Sequence, residues 1–331
     1  MKYQQTAAAA ILLALALCGC AARQAGAEFY AMDTVMQITA YGADAQGAVE
    51  AAQTEVYRLE ELLSCRSEGA ELARCNAGQK TVSAETARLI EQAIALSMQT
   101  GGAYDPALGA LTAAWGFDSG NYHVPDAAER TAALTHCGAE KVCVSDNTVV
   151  LSDGAQLDLG GIGKGYAASR IRRIMEENGV SSAIISLGGN VCAVGAKPDG
   201  KDWVIGLQDP HDPSAYFGTV TVRDAAVVTS GGYQRYFEYG GVRYHHILDA
   251  KTGAPAESGL CSVSVVCADD TLADALSTAL YVMGFEKGVD FWRTGGMEFD
   301  AVWMLDDGTV WITSGLRGIY QSETAYQVAE R

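Results

Sequence analysis

The sequence is short of positive charge. Its 331 residues hold 23 lysines and arginines against 40 aspartates and glutamates, a formal net charge of −17 at pH 7. No basic run and no interleaved basic and aromatic patch breaks that balance. Nucleic-acid affinity rests on neutralising phosphates with Lys and Arg, so the composition argues against a nucleic-acid binder. Long apolar runs are missing too. Beyond the first twenty residues nothing approaches the ~20 consecutive apolar residues of a membrane-spanning helix, which leaves only the N-terminus as an anchor. Of nine cysteines, Cys18 and Cys20 lie in the leader, and the remaining Cys65, Cys75, Cys137, Cys143, Cys192, Cys261 and Cys267 are odd in number. No C-x-x-C spacing occurs among those seven, which weakens both a zinc site and a complete disulfide framework. Cys137/Cys143 and Cys261/Cys267 are close enough in sequence to pair, but small buried hydrophobes is the reading adopted for most of them.

What is present suits a globular enzyme-sized chain. With 49% hydrophobic and 19% charged residues it can bury a large core, as one large domain or two smaller ones. Lys2 precedes an apolar stretch from Ala7 to Leu17, the size of a signal-peptide core. It ends in Leu17-Cys18-Gly19-Cys20, similar to a bacterial lipoprotein box with cleavage before Cys20 and lipid on its sulfur. A secretory signal cut later, near Ala22 or Ala27, is the alternative. Either way the expected mature chain leaves the cytoplasm, with residues 1–19 as signal peptide, 20–28 as lipidated linker and 29–331 as the functional domain.

The periodicity then predicts a mixed fold without repeats. Val49, Ala52, Val56, Leu59 and Leu62 mark one face of a helix over 47–63. Ser83 reads as the N-cap of a second helix carrying Ile90, Ile94 and Met98 and stopping at Gly101-Gly102. "KVCVSDNTVVLSDGAQLDL" alternates and turns at Asp146-Asn147 and Asp153-Gly154. Ala167, Ile171, Ile174 and Met175 form the stripe of a third helix that ends at Asn178-Gly179. A helix near Leu272 to Met283 and a hairpin at Asp307-Gly308 follow a strand-rich stretch. Hairpins outnumber strand-helix-strand crossovers, so an α+β fold of mostly antiparallel sheets flanked by helices is expected.

Four segments carry the chemistry. "DLGGIGKGYA", Asp158 to Ala167, places glycines and Lys164 ahead of a helix, where free N–H groups and the helix N-terminus favour a phosphate. It is neither G-x-G-x-x-G nor a P-loop, and a plain glycine-rich turn is the alternative. "VVTSGGYQRYF" gathers the Thr229 and Ser230 hydroxyls on a turn suited to a polar ligand, and "HHILDAKTGAP" sets two histidines and an aspartate in a loop. In "ADDTLADALSTALYVMG", Asp274 and Thr278 share a helix face. They read either as oxygen ligands for Mg²⁺, which keeps few protein ligands, or as an exposed Asp beside a Thr bonded back to its own helix.

Taken in order, "DTVM", "GGAYDPALGALTAAWGF", "DLGGIGKGYA", "SLGGN", "TSGGYQRYF", "HHILDAKTG" and "ADALSTALYVMG" resemble the ApbE-like flavin transferases, FAD:protein FMN transferases, from Asp33 to Gly284. The resemblance implies an ApbE-like, T-fold-related architecture and a Mg²⁺-dependent reaction on FAD. FMN passes to a Ser or Thr hydroxyl of an acceptor protein as a phosphoester, and AMP is released. It implies metal ligands at Asp274, Thr278 and the Gly161 backbone oxygen with Ser277 assisting. Flavin contacts are implied at Met36, Ala103, Tyr104, Asp105, Asp158, Lys164, Thr229, Ser230 and Leu248. His246 is implied as base or acceptor-positioning residue, oriented by Asp249. Two departures stand out: Ala250 replaces a proline after that aspartate, and Cys65-Arg66 replaces an aromatic that covers a ring, a role Arg66 can take by stacking. The expected partners are FAD, a flavin-carrying electron-transfer protein as acceptor, the membrane through the N-terminal lipid on the outer side of the cytoplasmic membrane, and no nucleic acid, with homodimerisation left open. An FAD pyrophosphatase yielding FMN and AMP, and a non-enzymatic FAD-binding lipoprotein, are the competing functions.

Overall fold

A computed structural model describes residues 23–331. The expected signal peptide, with Cys18, and the expected lipid-accepting Cys20 lie outside the described residues. In chain order the elements are β1 (Gln24–Ala31), β2 (Thr34–Tyr41), α1 (Ala45–Leu63), α2 (Glu71–Asn76), α3 (Ala84–Gln99), α4 (Gly109–Ala114), α5 (Ala127–Leu134), β3 (Val142–Ser145), β4 (Thr148–Leu151), α6 (Gly160–Glu177), β5 (Ser182–Leu187) and β6 (Asn190–Gly195). They continue with β7 (Trp203–Gln208), β8 (Tyr216–Val222), β9 (Ala226–Gly231), β10 (Tyr236–Tyr239), β11 (Val242–His245), β12 (Leu248–Asp249), β13 (Ala254–Pro255), β14 (Leu260–Cys267), α7 (Asp270–Thr294), β15 (Asp300–Leu305), β16 (Val310–Thr313), β17 (Tyr320–Gln321) and β18 (Tyr326–Ala329).

Nine strands form one sheet in the order β1-β2-β5-β6-β9-β14-β15-β16-β18, antiparallel at every junction except β16 with β18. Alternation along each strand divides the core. On β15, Ala301 and Trp303 pack with α7, whereas Val302 and Met304 pack with the separate β17-β8-β7 sheet. Helices therefore cover one face and a small sheet the other, the α+β arrangement read from the sequence.

The local rules act as expected at most helix ends. The Ser83 side chain caps α3 by accepting from Thr86 N–H. Ile90 on that helix is fully buried, but Met98 is exposed at 77% because it lies in the last turn, past the packed face. The Asp146 and Asp153 turns hold φ at 51° and 52°, the left-handed region that Asp tolerates. α7 extends beyond Met283, but Gly284 at φ 76° breaks it into two helical pieces. All seven cysteines of the described chain are free, with Cys75, Cys137, Cys192 and Cys267 buried and Cys143 exposed, so neither local pair forms a disulfide. Among the described residues no helix is long and apolar enough to cross a membrane.

α6 differs from the sequence reading in a way that builds the site. The glycines of "GGIGKG" are not a loop ahead of the helix: they are its first six residues, Gly160 to Gly165. Glycine inside a helix costs about 0.5–1 kcal/mol relative to alanine. The return is close approach. A Cβ on Gly165 would lie 2.4 Å from the Asp270 carbonyl oxygen and 2.6 Å from the Asp274 Cβ, so only glycine lets α6 and α7 cross at this spacing. The crossing is clamped two turns further along α6 by Arg172, whose Nε is 2.8 Å from Asp270 Oδ2.

Candidate active site

The β1–β2 turn, the β5–β6 turn and the C-terminal end of β9 meet at one end of the sheet, facing the N-terminal halves of α6 and α7. They enclose a cavity of about 380 Å³. From the candidate residues, Ala103, Tyr104, Asp105, Asp158, Gly161, Lys164, Thr229, Ser230, His246, Leu248, Asp274 and Thr278 all line it. Candidate residues scattered from Ala103 to Thr278 thus converge on one space.

The residues expected to hold a metal gather where α6 crosses α7. Asp274 is only 3% exposed, which overturns the reading of an exposed aspartate. Its Oδ2 accepts the Gly165 N–H at 2.8 Å. In a regular helix that N–H serves the carbonyl of Gly161, so the bond to Asp274 leaves Gly161 oxygen with capacity for a cation. A Cβ on Gly161 would sit 3.3 Å from Thr278 Oγ1 and 3.1 Å from the Tyr104 ring, filling the space these groups share. One carboxylate, one hydroxyl and one carbonyl are hard oxygen donors of the type Mg²⁺ takes. Among the described residues no cluster of three or more His, Cys, Asp or Glu is arranged to hold a metal, which leaves a softer ion without its preferred ligands. Ser277 is a correction to the ligand set. It is fully buried, donates to the Asp274 carbonyl at 2.8 Å and bonds Ser230 Oγ at 2.8 Å, so it braces the site and does not face it.

Asp158 is fixed on both oxygens, accepting from Thr112 Oγ1 at 3.0 Å and from Gly160 N–H at 2.8 Å. Tyr104 is buried with its hydroxyl unpartnered within the protein. Burial, with Asp274 nearby, pushes its pKa well up and keeps it a protonated donor. Burial likewise raises Asp105, whose Oδ1 accepts from Ala107 N–H.

Two further candidates need correction. Met36 is fully buried on β2 opposite Leu187, in the core beneath the sheet, and the turn residues Met32, Asp33 and Thr34 line the cavity in its place. Met36 shares the strand face of Thr34, but two residues further along β2 that face is already covered by the α1 and α6 helices. Asp249 does not orient His246. Its Oδ1 accepts from Lys251 N–H and its carbonyl from Thr252 and Gly253, closing its own turn. The partner of His246 Nδ1 is instead the Arg235 carbonyl at 3.1 Å.

Residues carried by the motifs without an assigned role, together with Arg66, complete the mouth. Asp33, Arg66, Phe117, Gln234 and Arg235 line it. Arg66 does not stack on a ring of the protein: its Nη1 pairs with Asp33 Oδ2 at 2.6 Å and its Nη2 donates to the Phe117 carbonyl at 3.0 Å. Sequence carries no signal for this, because the contacts span separations of tens of residues.

Burial pushes the His246 pKa below its usual 6.5, and the neighbouring Lys164 and Arg235 charges act the same way. The ring is therefore neutral at pH 7. An unfolded chain takes up this proton as pH falls through 6.5, whereas the native state does so only at lower pH, so the group withdraws stability progressively below 6.5. Melting temperatures measured from pH 7 to pH 4 should decline less steeply for His246→Gln than for wild type. Parallel curves would show that this imidazole is not held neutral.

The chain has clear relatives. The ApbE family model matches residues 32–303. A FAD:protein FMN transferase of Treponema pallidum is 36% identical over 311 residues, covering 86% of this chain and 85% of that protein. One from Klebsiella pneumoniae is 36% identical over 255 residues, 76% and 78% of the two chains. Among solved structures, an ApbE protein of Thermotoga maritima superposes with a TM-score of 0.85 at 33% identity over 90% of this chain and 99% of its own. The flavin transferase ApbE of Vibrio cholerae gives a TM-score of 0.79 at 27% identity over 90% and 99%. With the family's motifs gathered around one cavity and its model matched across most of the fold, the chain belongs to the ApbE family.

Proposed function

We propose that this chain transfers FMN from FAD to a Ser or Thr hydroxyl of an acceptor protein and releases AMP, as a lipoprotein anchored through Cys20 on the outer side of the cytoplasmic membrane. The observation that carries the reaction is the shared cavity: the Asp274, Thr278 and Gly161 oxygens and the His246 imidazole all line it.

Charge supports a metal-dependent form. Asp33, Glu60, Asp105, Asp118, Asp158 and Asp274 line the cavity against only Arg66, Lys164 and Arg235. A pyrophosphate dianion entering such a space meets an excess of negative charge. Mg²⁺ held by Asp274, Thr278 and the Gly161 carbonyl would neutralise the pyrophosphate and polarise its phosphorus. Lys164, on the first turns of α6, adds a cation beside the same phosphates. The neutral His246 takes the acceptor's hydroxyl proton on Nε2 as the oxygen attacks the FMN phosphorus. The new O–P bond forms, the anhydride P–O bond breaks, and AMP leaves with its electron pair.

Incubating the purified chain with FAD, Mg²⁺ and the flavin-carrying domain of an electron-transfer protein should put flavin fluorescence on the acceptor band after denaturing electrophoresis, and EDTA should abolish it. Free FMN and AMP without label would replace transfer by hydrolysis, and intact FAD would leave a binding protein. Metabolic labelling with a fatty acid that Cys20→Ala abolishes would support the anchor, and unchanged labelling would remove it.

A further inference from the structure

Four segments far apart in sequence meet at the cavity mouth around one carbonyl. Arg66 Nη2 donates to the Phe117 carbonyl oxygen at 3.0 Å, and Arg235 Nη2 donates to the same oxygen. Asp33 Oδ2 lies 2.6 Å from Arg66 Nη1 and 4.0 Å from Arg235 Nη1. The Arg235 guanidinium sits 5.9 Å from the centre of the Phe117 ring. The main chain of the same Arg235 holds the catalytic candidate: its carbonyl accepts both the His246 backbone N–H and the His246 ring Nδ1, each at 3.1 Å. The Phe117 ring meets that imidazole edge-on at 6.5 Å.

A carbonyl only accepts, so the ring proton must lie on Nδ1. Lys164, Arg235 and His245 are the charged and titratable groups that face the ring, and none favours a second proton. Nε2 is left as a free acceptor.

The turn that delivers Asp33 is built at a cost. Met32 and Asp33 form the two-residue loop between β1 and β2 with φ at 47° and 62°. Asn-Gly fills such a turn without strain, whereas Asp is only tolerated in the left-handed region and Met is strained there. Glu60 Oε1 braces the turn by accepting the Met32 N–H at 2.7 Å. An ion pair as exposed as Asp33 with Arg66 contributes little to stability, so stability alone does not account for its place.

We propose that Asp33, Arg66 and Arg235 form a clasp across the cavity mouth that fixes His246 in the tautomer with its proton on Nδ1 and Nε2 free. Asp33 and Arg66 are then positioning residues that act through Arg235. The purpose assigned to the clasp rests on the FMN-transfer reading; its existence does not.

The test uses the full chain with isotope-labelled histidine side chains, read by NMR, with His246 assigned by its loss in His246→Gln. Wild type should show a single tautomer with Nε2 unprotonated. Asp33→Gly keeps the turn's backbone while deleting the carboxylate, and Arg66→Met breaks the other arm. Both should give shifts averaged between tautomers. A base correctly oriented for only part of the time lowers kcat by about tenfold while KM for FAD stays within about twofold. Asp33→Asn, which still accepts from Arg66, should recover part of the loss. A single tautomer retained in both variants overturns the proposal, as does a raised KM with kcat intact, which would mean that these side chains grip the substrate. Were no acceptor ever flavinylated, the proposed reaction would fall, and the NMR result would still decide the clasp.

Discussion

Asp274→Asn should lower flavin transfer by a factor of about a thousand, the scale of losing several kcal/mol of metal-supported charge stabilisation, while making the ligand-free protein no less stable. The two effects come from one geometry. The amide keeps an oxygen for the Gly165 N–H, so the α6–α7 crossing is undisturbed. What disappears is a carboxylate only 3% exposed, with no Lys, Arg or His in ion-pair range among the described residues. Removing an uncompensated buried charge does not destabilise a fold. The decisive measurement is the shift in melting temperature on adding Mg²⁺. A ligand that binds only the native state stabilises by mass action, so wild type should gain and the variant should not. A persisting Mg²⁺ shift in Asp274→Asn would move the metal elsewhere.

The largest effect on folding should come from one methyl group. Gly165→Ala places its Cβ 2.4 Å from the Asp270 carbonyl oxygen, 2.6 Å from Asp274 Cβ and 3.0 Å from Thr271 Cα. Two of these are main-chain atoms and the third is a Cβ, so no rotamer change relieves them, and the helices must part. Overpacking costs about 1–3 kcal/mol or more, against roughly 1 kcal/mol gained in helix propensity. A net loss near 2 kcal/mol is expected in denaturant titration, with Mg²⁺ affinity lost as well because Asp274 moves. Gly163→Ala is the internal control. Nothing lies within 4 Å of its Cβ, so the same substitution two residues away should stabilise the protein. If both variants lost stability equally, helix contact would not be the reason for Gly165.

These cases also show what was legible in the sequence. Val49, Ala52, Val56 and Leu59 are buried as their spacing requires, and the Ser83 cap and the Asp146 turn are local devices that residue type alone specifies. The glycine segment was misread because glycine's helix penalty argues for a loop when the sequence is taken alone. Only the opposing α7 backbone reveals why a helix accepts the penalty. Most of the cavity residues were found through motif order. Met36 and Asp249 failed because how far along a strand the cavity reaches, and which carbonyl meets a ring, depend on packing between distant segments. Asp33 and Arg235 lie inside the motifs and Arg66 stands where an aromatic is expected, but the pairing among the three had no signature, for the same reason.

The position of β1 has a consequence for where the acceptor can be. Only Ala21, Ala22 and Arg23 separate the proposed lipid-bearing Cys20 from Gln24, the first residue of the strand. Eight strand residues at about 3.3 Å each then run to the turn at the cavity mouth, about 26 Å away. With lipid on Cys20, the edge of the sheet serves as a ruler standing on the bilayer, and the mouth opens at most roughly 40 Å above it. An acceptor held in the same membrane would then have to present its hydroxyl within that height, so the proposed anchor would restrict substrates by elevation.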